Sequence, residues 1–201
     1  MTLQGPSVDF SSLDLPVIAI GPARLFRISR HKSGEPHFGK SGLNRYDDPR
    51  HTLAPARRFG TCYFGLTLQC AFAETVLHDR VAHRGAFSLP LAELDRQVVR
   101  FTGTPLQLAN LTGAHLKRLG ADGSLSTILP YDLPQACSLA VHDHPAKVDG
   151  FLYVSRHLNN ECAVVVFDRT RKRFAQSPHT TPLTTYPGSA DVFRLFRIQP
   201  Y

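Results

Sequence analysis

Residues 61–78 read Thr61-Cys-Tyr-Phe-Gly-Leu-Thr-Leu-Gln-Cys-Ala-Phe-Ala-Glu-Thr-Val-Leu-His78, and the fold is decided by how this stretch divides. Cys62, Tyr63 and Phe64 form a short apolar run with strand chemistry, which Gly65 interrupts. Thr67 stands where a helix N-cap belongs, because its hydroxyl can accept from a backbone N–H in the first turn. Ala71, Phe72, Val76 and Leu77 then recur at helical spacing and can face a core. Glu74 is the only acidic residue of that helix. A strand, a turn and a helix bearing one carboxylate can aim that carboxylate into a cleft. The plainer alternative is an exposed helical glutamate paired with a neighbouring Arg or His.

Outward from this unit, the chain of 201 residues is long enough for one sizeable core, and 42% hydrophobic with 19% charged residues describes a folding chain rather than a disordered one. The expectation is a flexible N-terminal arm over 1–16 and a single domain over 17–201. A net charge of +7 and a pI near 9.5 suit nucleic acid, phosphorylated ligands or an acidic protein partner. The four cysteines form no CxxC pair and sit in apolar contexts, which suits buried free thiols over a zinc ribbon or redox motif. The first residues lack the basic start and apolar segment of a secretory signal, and no apolar run is long enough to span a bilayer, so a cytoplasmic location is expected.

Upstream, residues 23–29 alternate as a strand carrying Arg27. Residues 30–58 are rich in Gly, His, Pro, Arg and Lys, too polar for core and too long for a bare connector, and read as a functional loop that includes Asn44, Arg45 and Tyr46. Downstream, strands are expected over 85–89, 97–102, 106–111, 151–154, 162–167 and 192–198, with Cys162–Phe167 as a fully buried one. Helices are expected after Thr112 and over 134–142, the latter with Ala136, Leu139 and Ala140 inward. Many strands with few short helices lack the regular strand–helix alternation of a doubly wound sheet, so the chain reads as mixed α+β.

Four constellations bear chemistry. His142-Asp143-His144 lacks a third metal ligand, and HExxH is absent. Ser155 and His157 lie two apart, but no GxSxG accompanies them. The arginines are dispersed, and no nucleic-acid recognition motif stands out. The fourth set is Arg27, Arg45, Tyr63, Glu74 and Ser155. Arginines grip diphosphates through forked donors. A tyrosine can flank an aromatic ring. A lone carboxylate can stabilise an oxocarbenium-like transition state or bond a ribose hydroxyl. Together they suit cleavage of an N-glycosidic bond in a dinucleotide.

These residues, in this order, resemble the RES-domain family, named for an Arg, a Glu and a Ser. The resemblance rests on Leu25-Phe26-Arg27-Ile28, Gly42-Leu43-Asn44-Arg45-Tyr46, Cys62-Tyr63-Phe64 with Ala71-Phe72-Ala73-Glu74-Thr75, Asp149 to His157, and Ala163 to Asp168. It implies an ADP-ribosyltransferase-like split α+β fold, with mixed sheets and short helices around a central cleft. It also implies a toxin of a toxin–antitoxin pair, an NAD phosphorylase or glycohydrolase-like enzyme that cleaves the nicotinamide–ribose bond. NAD would be substrate rather than prosthetic group, with water or inorganic phosphate as acceptor. An Xre-type antitoxin blocking the active site would be the partner, in a hetero-oligomer, or the chain would form a homo-oligomer; neither membrane nor direct nucleic-acid binding is expected. By position, Arg27 and Arg45 would bind the phosphates, Tyr63 the nicotinamide or its ribose, Glu74 the oxocarbenium-like state, and Ser155 would complete the nicotinamide end. Where many members carry Gly-Gly-Arg-Trp this chain has Gly-Leu-Asn-Arg-Tyr, so Arg50, Arg57 and Arg58 compete with Arg45 as second arginine; Val154 stands where many have proline. The alternatives are an ADP-ribosyltransferase acting on a protein and a basic nucleic-acid-binding protein.

Overall fold

A computed structural model describes residues 5–201. Its strands are β1 (Val17–Ile20), β2 (Arg27–Ser29), β3 (Thr61–Gly65), β4 (Phe87–Leu89), β5 (Gln97–Val99), β6 (Phe101–Gly103), β7 (Leu106–Leu111), β8 (Gly150–Val154), β9 (Cys162–Phe167), β10 (Phe174–Gln176), β11 (Thr181–Pro182) and β12 (Ile198–Pro200). The α-helices are α1 (Leu68–Phe72), α2 (Leu91–Leu94), α3 (Gly113–Arg118), α4 (Asp132–Asp143) and α5 (Ser189–Leu195). The main sheet runs β1-β7-β8-β9-β3, parallel only between β7 and β8. Small sheets β11-β5-β2, β10-β6 and β12-β4 surround it. This is the mixed α+β architecture of several sheets and short helices that the sequence implies. Among the described residues no helix is long and apolar enough to cross a membrane.

The Cys162–Phe167 segment forms β9, and its unbroken apolar run has a direct cause. Ala163, Val165 and Phe167 enter one core cluster while Val164 and Val166 enter another, because the sheet is covered on both faces. At Gly150, next to β9, an added Cβ would lie 1.9 Å from the Val165 carbonyl oxygen, so only glycine permits that strand spacing.

Three expectations are corrected. Residues 192–198 are not a strand: α5 ends at Leu195 and only Ile198–Pro200 pairs, with β4. The apolar pattern that mattered is Val192, Phe193 and Phe196, a helical face that packs Phe193 and Phe196 against Phe72, each at 5.7 Å between ring centroids. In α4 the fully buried positions are Pro134, Gln135, Cys137, Ser138 and Val141; of the expected inward residues, Leu139 and Ala140 pack half-buried against the core and Ala136 is half-buried. Polar residues face inward there because the neighbouring loop presents carbonyls that need donors. Gln135 Nε2 donates to Gly42 O and Asn44 O at 2.9 Å each, and Ser138 Oγ donates to Tyr46 O at 2.7 Å. Finally, the arm expected over 1–16 docks along its described part, with Phe10 and Leu15 buried in the core; residues 1–4 lie outside the described residues. Cys62, Cys70 and Cys137 are buried free thiols and Cys162 is a half-buried one.

Candidate functional site

The free edge of β3 forms one wall of a cavity of about 440 Å³. Thr61 exchanges backbone bonds with Gly39 at one end of the edge, and Gly65 with Phe26 at the other. Tyr63 shares their side of the strand, so its backbone faces the gap between the two bridges, and its carbonyl accepts from Arg27 Nη1 at 3.1 Å. Arg27, Arg45, Tyr63 and Glu74 all line the cavity. Ser155 does not; it is 1% exposed and lies behind Glu74.

Glu74 reaches this place through a local change of helix type. Thr67 caps α1 as expected, accepting from Cys70 N–H at 3.1 Å. Ala73–Leu77 then continue as one π turn, closed by His78 N–H donating to Ala73 O at 2.9 Å. Such turns add one residue to the helical repeat and redirect the side chains that follow. Ser155 Oγ donates to Glu74 Oε1 at 2.5 Å and accepts from the N–H groups of His157 and Leu158 at 3.2 and 3.0 Å. The hydroxyl is thereby fully used: two backbone donors polarise it and it grips one carboxylate oxygen. Burial pushes the Glu74 carboxyl above its ordinary range, and the Ser155 hydroxyl and the charges of His78, Arg156 and Arg45 only partly offset this.

The phosphate-gripping candidates are held differently. Arg27 Nε donates to Glu35 Oε2 at 2.7 Å, so with the Tyr63 carbonyl its guanidinium has two fixed points. Burial pushes the Glu35 carboxyl up, but Arg27 and the His37 N–H outweigh it and hold the carboxyl below its ordinary range. Arg45 Nη1 donates to Ile128 O at 2.7 Å, and its guanidinium lies 4.6 Å from the Tyr131 ring centroid. Its Nη2 is buried without a hydrogen-bond partner among the described residues, an arrangement that favours an anionic ligand. Its loop is tied by Asp47, which accepts from Ser41 Oγ, Gly42 N–H, Asn44 N–H and Thr61 Oγ1.

Of Arg45, Arg50, Arg57 and Arg58, Arg45 alone lines the cavity. Arg50 pairs with Asp48 at 2.6 Å, Arg58 bonds Leu53 O and Lys40 O, and neither they nor Arg57 line the cavity. Tyr63, expected as a ligand contact, lies in the cavity wall with its hydroxyl turned inward to accept from Tyr46 N–H at 3.0 Å; only its ring and backbone face the space.

His78 and Asp79, which the motif reading does not single out, complete the cavity with Arg156 and His157. His78 and Asp79 stand at the exposed rim, and Arg156 lies 3.7 Å from Asp79. His157 packs edge-on to His78 with centroids 4.8 Å apart, and burial followed by the charges of His78 and Arg156 pushes its pKa down to about 4, so its ring is neutral at pH 7. Four-residue spacing from Glu74 would put His78 on the same face of a regular α-helix, but in the structure His78 follows the π turn with non-helical backbone, and the fold rather than the spacing brings it to the cavity. His142 and His144 serve structure: one stacks on Phe59 at 4.3 Å, and the other bonds Leu13 O at 3.2 Å.

Fold and site together define a mixed α+β protein with an arginine-lined cavity around one half-buried carboxylate. A model of the RES domain family matches residues 24–188, and the chain belongs to that family. Among solved structures it is similar to the M. tuberculosis MbcT–MbcA toxin–antitoxin complex, with a TM-score of 0.63, 14% identity and 94% of each chain covered, a likeness of fold. No curated protein matches the sequence significantly.

Proposed function

We propose that this protein is the toxin of a toxin–antitoxin pair and consumes NAD by cleaving its nicotinamide–ribose bond. The observation that carries the reading is the Glu74 carboxylate, raised in pKa and gripped by Ser155, in one cavity with Arg27 and Arg45. A cavity of about 440 Å³ is of the size that takes a small ligand or much of a dinucleotide. Arg27 and Arg45 would hold the diphosphate. The Tyr63 ring would flank the nicotinamide end. As the C1′–N bond breaks, its electron pair passes to the pyridinium nitrogen, and positive charge develops on the ribose. The Glu74 carboxylate would stabilise that charge, and then either water would bond to C1′ with loss of its proton to solvent, or an oxygen anion of inorganic phosphate would bond there. Ser155 would act through Glu74 rather than by touching substrate.

The partner in this proposal is an Xre-type antitoxin that occludes the cavity, and the place of action is the cytoplasm. The net charge of +7 supports steering of an acidic partner segment. The test is incubation of pure protein with NAD, with and without phosphate, following nicotinamide release. Release that is suppressed by Glu74→Gln is expected. Folded protein that releases none under either condition overturns the reading, and label passing from NAD to a protein fraction would replace it with protein ADP-ribosylation.

A further inference from the structure

Glu35 belongs to none of the residues by which the site was first recognised, and it does not itself line the cavity. It sits in the loop between β2 and β3, with its side chain 4% exposed against 25% for Arg27. The loop holds it from two sides. Its own N–H donates to Gln176 Oε1 at 3.1 Å, and Gln176 Nε2 donates to Lys32 O at 2.7 Å, which fastens the segment to β10. The His37 N–H donates to the same Oε2 that receives Arg27 Nε, at 2.9 Å. The carboxylate is therefore anchored independently of the arginine.

An arginine has five N–H donors in one plane, so fixing two of its nitrogens fixes the direction of the third. Glu35 takes Nε and the Tyr63 carbonyl takes Nη1. Arg27 Nη2 makes no hydrogen bond among the described residues, and Arg27 lines the cavity. We propose that Glu35 is a positioning residue that aims the Arg27 guanidinium into the cavity and so sets the affinity for the phosphate-bearing substrate. The inference rests on the NAD-cleaving reading for its kinetic consequence. Without Glu35, Nε would be free to turn, and the long side chain would regain rotamers that binding must then remove.

Two readouts test it. The first is kinetic. Glu35→Ala should raise KM for NAD about tenfold, the loss of one charge-assisted hydrogen bond's worth of orientation, and change kcat less than about twofold. Glu35→Gln keeps an oxygen for Nε and should recover most of the affinity. Glu35→Asp withdraws the carboxylate by one methylene and should behave like Ala; it serves if the alanine variant does not fold. The second readout needs no substrate: the Arg27 Nε–H resonance, identified by its loss in Arg27→Lys. It should be sharp and slowly exchanging in the wild type and in Glu35→Gln, and broadened or lost in Glu35→Ala. An unchanged resonance in Glu35→Ala, an unchanged KM there, or a fall in kcat with KM constant overturns the positioning role. If the wild type releases no nicotinamide, the functional reading fails, while the resonance still decides whether Glu35 orients Arg27.

Discussion

Two carboxylates serve the cavity, Glu74 in its wall and Glu35 behind Arg27, and they are treated in opposite ways. Glu35 meets a full positive charge at 2.7 Å and is held below its ordinary pKa. Glu74 meets only a neutral hydroxyl at 2.5 Å and is held above it. Both are largely withdrawn from water, so the difference lies in the partner. The pairing at Glu35 satisfies its charge and ties it to Arg27 rather than to any ligand. The charge on Glu74 is kept incompletely compensated, a state that favours meeting positive charge arriving from outside. Environments that drive two like groups apart in pKa assign them different tasks.

The largest effect that would break this contrast concerns Glu74. Replacing it with Gln keeps the shape and the Ser155 contact but removes the charge, and should cost about 100- to 1000-fold in nicotinamide release. Full activity in that variant would remove Glu74 from the chemistry and make the two carboxylates equivalent.

Gly65 joins the two sides. It bridges to Phe26, next to Arg27, and it packs on the first turn of α1, where an added Cβ would meet Ala71 N at 2.4 Å and Thr67 O at 2.8 Å. Both contacts are backbone, so the helix must move. Gly65→Ala should destabilise by about 1–3 kcal/mol in denaturant titrations and reduce turnover by displacing Glu74. An unaltered melting curve with normal turnover would show that the two sides are less tightly joined than these contacts imply.

Ser155→Ala should have a smaller effect on rate, about tenfold, because the carboxylate remains. It leaves the N–H groups of His157 and Leu158 without their acceptor, for a stability cost of about 1–3 kcal/mol. The ionised form of Glu74 also loses its donor, so its pKa should rise further and the acidic limb of the pH–rate profile should move to higher pH. A limb that stays in place would sever Ser155 from Glu74.

The smallest effects are the most diagnostic of the contrast itself. A carboxyl raised in pKa by folding is penalised when ionised, so its folded protein is disfavoured as pH rises through that value. Glu74→Gln should therefore raise the melting temperature at neutral pH, a gain that vanishes in acid below the ordinary carboxylate range. Glu35 has the opposite sign. Its stabilisation is complete above the ordinary value and is lost as pH falls through the lowered one. Glu35→Gln should lower stability at neutral pH by about 1 kcal/mol and cost nothing in strong acid. Melts of both variants across pH check this, and shifts of the same sign would overturn the comparison.

Much of the site was legible because it depends on residue types in order. Arg27, Arg45, Tyr63 and Glu74 come from three separate segments, and all reach one cavity. Thr67 capped its helix as read, since capping is a local bond within four residues. What was misread depended on partners distant in sequence. The inward face of α4 is polar because loop 42–46 needs donors, and that loop lies about ninety residues away in the chain. A strand over 192–198 would put Phe193 and Phe196 on opposite faces, yet their three-residue spacing brings both onto one helical face against Phe72. Glu35 carries no signal in the sequence, because nothing in its own segment names Arg27 as its partner.

By itself, then, the sequence determined the strand, the capped helix and the buried β9, set by short-range periodicity and turn chemistry, and it pointed to the candidate residues through their types, their order and the family they resemble. Only the tertiary structure decided which arginine faces the cavity, that Ser155 stands behind Glu74 rather than beside a ligand, and that one carboxylate is ion-paired while the other is not. Those outcomes depend on distances between segments and on exclusion of water. Neither is encoded in any one stretch of chain, and both set how strongly a charge is felt.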